Sequence, residues 1–136
     1  MLTACRSDPH DAIFRKVSPS SSGIHFKNEL KYSDSLSVLE FEYMFNGSGV
    51  ALLDVNKDGL QDIMFGGNMV SSRLYLNKGN LEFEDITQKA GVTTNGWIYG
   101  IAVVDINQDG FDDIYVCKAG NRKTSPAEMN YQRPEA

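Results

Sequence analysis

Two nine-residue stretches of this chain place oxygen-bearing side chains at the alternating positions that a hard cation requires. Asp54-Val55-Asn56-Lys57-Asp58-Gly59-Leu60-Gln61-Asp62 and Asp105-Ile106-Asn107-Gln108-Asp109-Gly110-Phe111-Asp112-Asp113 both read D-x-N-x-D-G-x-x-D, offset by 105 − 54 = 51 residues. A tight loop aims its first, third and fifth side chains inward, adds the carbonyl of the seventh residue and closes with the ninth carboxylate. The expected ligands are therefore Asp54, Asn56, Asp58, the Leu60 carbonyl and Asp62 in one loop, and Asp105, Asn107, Asp109, the Phe111 carbonyl and Asp113 in the other. Calcium takes roughly 6–8 oxygen ligands at about 2.3–2.6 Å, whereas magnesium demands near-ideal octahedral geometry and keeps its waters. Two Ca2+ sites are expected. Gly59 and Gly110 stand where the backbone turns most sharply, a place for positive φ. Asp112, at position eight, reads as solvated surface.

Three carboxylates in one turn repel one another. At a spacing of about 4 Å and an effective dielectric near 20, each like-charge pair costs roughly 4 kcal/mol before screening. A divalent ion removes that cost. The competing reading is an acidic turn without metal, because Asn and Asp readily bond their own backbone. Repetition of the whole pattern favours the metal.

The elements that position these loops are strands. Gly49-Val50-Ala51-Leu52-Leu53 precedes the first loop and Gly100-Ile101-Ala102-Val103-Val104 the second; Ile63-Met64-Phe65 and Ile114-Tyr115-Val116 follow them. An EF-hand is excluded, since its position-twelve Glu is replaced by Phe65 and Val116. Beyond the first loop, Leu74/Leu76 and Leu81/Phe83 alternate with polar neighbours, the two-residue period of half-buried strands. Asn77-Lys78-Gly79-Asn80 turns between them. Four antiparallel strands recurring at about 50 residues describe a propeller blade. The fold class expected is all-β, a fragment of a multi-bladed β-propeller with four-stranded antiparallel blades.

The same register suggests a partial copy at the front, where Phe14 to Ser18 and Gly23-Ile24 parallel Phe83 to Thr87 and Gly91-Val92. The expected organisation is a leader and tether at 1–11, an outer strand and lead-in at 12–48, a full blade at 49–99 and the first half of a second at 100–136, breaking off where its third strand is due. Such a chain is part of a longer protein, with uncovered sheet edges and apolar faces that make it prone to associate.

Net charge is −5, and six of the eighteen acidic residues are the paired loop aspartates. No basic patch suits nucleic acid. No run reaches the roughly 18 apolar residues of a membrane span. Of the two cysteines, Cys117 reads as a free buried thiol on a strand. Cys5 follows Leu2-Thr3-Ala4, which resembles the lipobox of bacterial lipoproteins, so Cys5 is the candidate lipidation site and the expected membrane link. The apolar region of a full signal does not precede it.

Tyr43-Met44-Phe45-Asn46-Gly47-Ser48-Gly49-Val50, the two acidic loops, Leu74-Tyr75-Leu76-Asn77, Phe83-Glu84-Asp85-Ile86-Thr87 and Gly110 to Tyr115 resemble the FG-GAP/VCBS repeat proteins. The closer resemblance is to the bacterial cartilage-acidic-protein-like, ASPIC/UnbV-associated group. It implies a seven- or eight-bladed propeller related to the integrin α-chain head, with calcium between strands one and two of a blade. It also implies export, to the outer membrane, cell surface or periplasm, often as a lipoprotein.

Catalytic residues are not expected. His10 and His25 lie in no metal or triad spacing, and His25 reads as an outward residue on a strand. Gly47-Ser48-Gly49 lacks the second spaced Gly of a nucleophile elbow. Trp97 and Tyr99 suit packing between blades better than sugar stacking. Glu82, Glu84 and Asp85 read as a charged outer edge. Two functions remain open: a calcium-stapled interaction module for a protein or carbohydrate ligand, or the scaffold of a polysaccharide-acting lyase or hydrolase with its catalytic groups in other blades.

Overall fold

A computed structural model of the chain describes residues 13–31, 44–119 and 129–132. Cys5, with the whole leader, lies outside them. Short, strongly β-prone runs separated by Gly- and Asx-rich turns give seven strands among the described residues: β1 (Val50–Leu53), β2 (Asp62–Phe65), β3 (Arg73–Asn77), β4 (Phe83–Asp85), β5 (Trp97–Val104), β6 (Asp113–Ala119) and β7 (Met129–Gln132). They form two antiparallel sheets, ordered β1-β2-β3-β4 and β5-β6-β7. The first is a four-stranded antiparallel sheet of the blade kind, and the second carries three strands among the described residues. The chain is nearly all β; its one described helix is α1 (Pro19–Ser22), capped by Ser18 and ended by Gly23 at φ 75°.

Alternation decides which face meets the core. In the first sheet, Ala51 pairs with Met64, and Met64 with Leu74, so their side chains share one face. In the second, Ile101 pairs with Val116 and Val103 with Ile114. These two faces close on each other as a single core that also takes in Leu53, Val92 and Ile98. Met64, Leu74, Ile98 and Ile114 are all 0% exposed. Full burial of such a side chain is worth about 1.5–3 kcal/mol, so this seam is the chief source of stability.

Glycines allow the sheets to approach. A Cβ on Gly49 would stand 2.7 Å from the Ile101 nitrogen and 2.9 Å from the Gly100 carbonyl carbon. One on Gly66 would meet the Ser48 hydroxyl and the Ile98 side chain. The seam is also hydrogen-bonded: Ser48 Oγ donates to the Ile98 carbonyl at 2.7 Å, and the Ile98 amide to the Gly67 carbonyl at 3.2 Å. The outer edge carries Glu82, Glu84 and Asp85, all exposed. Glu84 pairs with Lys78 at 3.4 Å and Asp85 with Arg73 at 3.6 Å, as a charged edge strand should.

Three expectations change. Residues 13–31 contain no strand, so neither the outer strand placed there nor a strand position for His25 is found. Instead the segment lies along the first sheet: Phe26 stacks on Phe65 with ring centroids 5.2 Å apart, and Asn28 bonds Asn68. A sheet already four strands wide leaves this segment side-chain packing in place of a ladder. The third strand of the second sheet, expected to be missing, is β7. Cys117 is free but exposed rather than buried, because alternation along β6 turns it to the face away from the first sheet. No helix among the described residues is long and apolar enough to cross a membrane.

Gly49→Ala tests the close approach. Its Cβ meets backbone, which cannot swing aside, so the variant should lose about 1–3 kcal/mol of stability, the usual cost of overpacking. Gly47→Ala meets nothing within 4 Å and should lose only the backbone cost of its positive φ. Urea denaturation of both variants checks the difference.

Candidate metal centre

Each acidic loop joins the first and second strands of its sheet, and both fold the same way. In the first, Asp54 accepts from the amides of Asp58 (Oδ1, 3.1 Å) and Gly59 (Oδ2, 2.8 Å). Asn56 Oδ1 accepts from that same Asp58 amide at 3.2 Å, so it lies beside the Asp54 carboxylate. Asp58 accepts from the Leu60 amide at 2.8 Å and from the Asn56 side-chain amide at 2.9 Å. Asp62 reaches back to the Val55 amide at 2.9 Å and locks the two ends of the loop together.

The second loop repeats all six bonds. Asp105 accepts from Asp109 at 3.1 Å and Gly110 at 2.7 Å, and Asn107 from Asp109 at 3.2 Å. Asp109 accepts from Phe111 and Asn107, both at 2.9 Å, and Asp113 from the Ile106 amide at 3.0 Å. The backbone matches as well: Lys57 and Gln108 sit at φ 59° and 58°, Gly59 and Gly110 at 83° and 85°. Position four is thus left-handed without a glycine, which the D-x-N-x-D-G pattern did not announce.

Each position selected as a metal ligand lies in one of the two turns or at the strand residue that closes it, and none falls in a helix. Asp54, Asn56 and Asp58 are tied together by bonds to shared amides, with Leu60 adjoining through its own amide; Asp105, Asn107, Asp109 and Phe111 are joined in the same way. Asp62 and Asp113 close the loops from the first residues of β2 and β6, and both are 0% exposed. Among the described residues no group of three or more His, Cys, Asp or Glu side chains is gathered as a metal cluster. The turn holds itself by carboxylate-to-amide bonds. Those bonds use only part of the accepting capacity, since an ionised carboxylate offers about four lone-pair sites. The donor set, all oxygen and largely anionic, matches a hard cation.

Sequence reasoning missed two further features. Lys57 of the first loop reaches across the seam and places its ammonium 3.7 Å from the Phe111 ring centroid, over the second loop. A cation–π contact of this kind is worth about 0.5–1 kcal/mol at an exposed site, and it puts positive charge between two acidic turns. The second is the Asn77 amide, which donates to Asp62 Oδ1 at 2.7 Å and so ties the first loop to β3. Burial raises the Asp62 carboxyl above its ordinary range and outweighs the amides of Asn77 and Val55 that pull it down; Asp58 and Asp54 push it further up.

Paired hairpin loops of this kind, on neighbouring antiparallel sheets packed through glycine-lined first strands, define a repeat protein of the β-propeller class. The FG-GAP-like repeat model matches residues 44–116, and the chain belongs to that family. It is similar to integrin alpha-6 of Gallus gallus, 34% identical over 107 residues, covering 64% of this chain and 10% of that protein. Human integrin alpha-6 is 30% identical over 121 residues, 74% of this chain and 10% of its own length. Integrin alpha-3 of Mus musculus is 33% identical over 82 residues, 52% of this chain and 8% of its own. The chain thus spans about a tenth of the curated relatives it matches. No solved structure matches it.

The raised Asp62 carboxyl predicts a pH dependence of the metal-free protein. Between its unfolded and its raised folded value the native state holds the extra proton, so stability falls as pH rises through that window. Acidification from neutral pH removes the cost of burying the charge. Carbon-detected NMR of the chelator-treated protein should show the Asp62 carboxyl titrating above the ordinary aspartate range; a midpoint at or below that range contradicts the burial argument.

Proposed function

We propose that this chain is a calcium-binding repeat module of an exported, surface-displayed β-propeller protein that acts in binding, with the cation as a structural staple. The observation that carries this reading is the duplication of one six-bond carboxylate cage in two sheets. A turn needed only as a turn has no reason to repeat three aspartates and an asparagine at fixed spacing. Calcium bound to Asp54, Asn56, Asp58, the Leu60 carbonyl and Asp62, and to their counterparts at 105–113, supplies charge neutralisation for three carboxylates per loop. The protein residues do the rest: they fix the turn, bury the ninth-position carboxylate and bring the strands into register.

The ligand proposed for the module is a protein or a carbohydrate. The integrin relatives support interaction rather than catalysis as its role, and the FG-GAP-like match supports a scaffold built from repeats. Export with a lipid anchor at Cys5 is supported by the Leu2-Thr3-Ala4-Cys5 sequence.

Calcium that binds only the folded state stabilises it by RT ln(1 + [L]/Kd), about 1.4 kcal/mol at tenfold excess over Kd. Extracellular modules bind in about the 10⁻⁴–10⁻³ M range, so the titration extends to roughly 10 mM. The melting temperature should rise by several degrees with calcium and return with chelator. Asp58→Ala combined with Asp109→Ala should abolish that rise while lowering the chelated melting point by a smaller amount, since each loses its own turn bonds. A melting temperature indifferent to calcium and chelator removes the metal from the proposal. Mass spectrometry of the N-terminal peptide from the native host should find Cys5 acylated; an unmodified thiol there removes the anchor.

A further inference from the structure

The chain holds two Asn-Gly pairs, Asn46-Gly47 and Asn95-Gly96. The first leads into β1 and the second into β5, so both sit at strand ends opposite the acidic loops and off the sheet faces. Both asparagines are exposed, and both glycines have positive φ, 77° and 99°. Their surroundings differ. A Cβ on Gly47 would meet no described atom within 4 Å, whereas one on Gly96 would stand 2.5 Å from Lys118 Cε and 3.4 Å from its Nζ. Gly96 also adjoins Trp97, which is held opposite Ala119 in the β5–β6 ladder. Gly47 belongs to no strand. Asparagine is a chemically labile residue, and most so before glycine, where no Cβ shields the following nitrogen.

We propose that Asn46 is a spontaneous deamidation site whose product loosens the seam between the two sheets, and that Asn95 is its protected counterpart. The Gly47 nitrogen gives its proton to a base and attacks Asn46 Cγ. A new N–Cγ bond forms, the bond from Cγ to the amide nitrogen breaks, and ammonia leaves a five-membered succinimide. Water then opens the ring. Cleavage at Cγ gives aspartate; cleavage at the former main-chain carbonyl gives isoaspartate, whose chain runs through the side-chain carbons and is one methylene longer. That added methylene stands directly before the residues that close the seam. The Gly47 carbonyl accepts from Asn68 Nδ2 at 3.2 Å, and Asn68, itself 3% exposed, also holds Asn28. Ser48 Oγ donates to the Ile98 carbonyl at 2.7 Å, and the Gly49 carbonyl accepts from the Gly66 amide at 2.8 Å. Shifting Gly47 and Ser48 pulls these partners apart, and a buried polar group left without its partner costs more than the bond itself contributes. The reaction needs only water and base, and no cation.

The test incubates the 136-residue chain at mildly alkaline pH, folded and in urea, and follows the peptides around Asn46 and Asn95 by mass spectrometry. In the folded chain Asn46 should lose its amide several-fold faster than Asn95. In urea the two rates should converge, because only the fold distinguishes the two pairs. The aged folded chain should accept label from an isoaspartyl methyltransferase and melt at a lower temperature than the fresh chain. Asn46→Gln, whose ring closure is slow because it makes a six-membered ring, should keep its melting temperature through the same incubation. Freshly made Asn46→Asp carries the charge without the extra methylene and should melt above the aged wild type. An Asn46 no faster than Asn95 in the folded chain overturns the proposal, as does a rate ratio unchanged by urea. An isoaspartate-bearing chain that melts with the fresh one overturns the loosening of the seam. Asn46→Asp melting as low as the aged chain assigns the loss to charge and overturns the main-chain account.

Discussion

The ninth-position aspartate governs this structure. Asp62 and Asp113 are each the first residue of a second strand and are fully buried, yet each accepts from the backbone amide of the second loop residue. That bond closes the turn across its base and fixes where the second strand begins. A slip of one residue in a strand turns every side chain to the opposite face. Holding Asp62 opposite Leu53 therefore also holds Met64 opposite Ala51, and with them the face that enters the core. A buried anion is costly unless hydrogen-bonded; Asp62 has amides on both oxygens, from Val55 and Asn77. The loop chemistry and the sheet packing are in this sense one problem with one solution.

The seam between the sheets shows the same economy. Flat apolar faces alone leave two sheets about 10 Å apart. Here the first strands come closer at one end, where Gly49 lies against Gly100 and Ile101 and Gly66 against Ser48 and Ile98. The backbone groups exposed by this approach are used: Ile98 bonds Gly67 through its amide and Ser48 through its carbonyl. Lys57 spans the same seam at the loop end and rests over Phe111. The sheets are thus joined by apolar packing along the middle and by hydrogen bonding and a cation–π contact toward the ends.

Much of this was legible in the residues because it is local. The D-x-N-x-D-G pattern encodes a turn through the short reach of Asx side chains, and alternation in Leu74-Tyr75-Leu76 encodes a strand and its inward face. The charged outer edge followed from Glu82, Glu84 and Asp85 in the same way. What escaped depends on partners distant in the chain. Residues 24–28 have the alternation of a strand, but Phe65, Tyr75 and Asn68 offer them side chains and not a ladder. Cys117 lies among apolar neighbours that suggest burial, and only the position of the first sheet shows its side of β6 to be the outer one. Lys57 over Phe111 joins two loops whose proximity follows from the packing of whole sheets. The acidic side chains were legible as oxygen donors, and the structure shows them bonded to backbone amides of their own turns.

A repeat of this design has a direction. The first strand of each sheet, counting Gly49 before β1, presents one alternate set of residues to one side, Gly49, Ala51 and Leu53 or Gly100, Ala102 and Val104, and the other set to the other, Val50 and Leu52 or Ile101 and Val103. The internal seam joins unlike faces, and the loop that links strands one and two emerges at the same end of both sheets. Acidic turns must then line up along one rim of the array, spaced by one sheet each. Like charges so arranged repel across successive sheets as well as within each turn, and the contact of Lys57 with the next loop offsets only part of that. In the second loop the lysine position is Gln108, which brings no charge. Stacking that is favourable along the apolar faces therefore works against electrostatics at the rim.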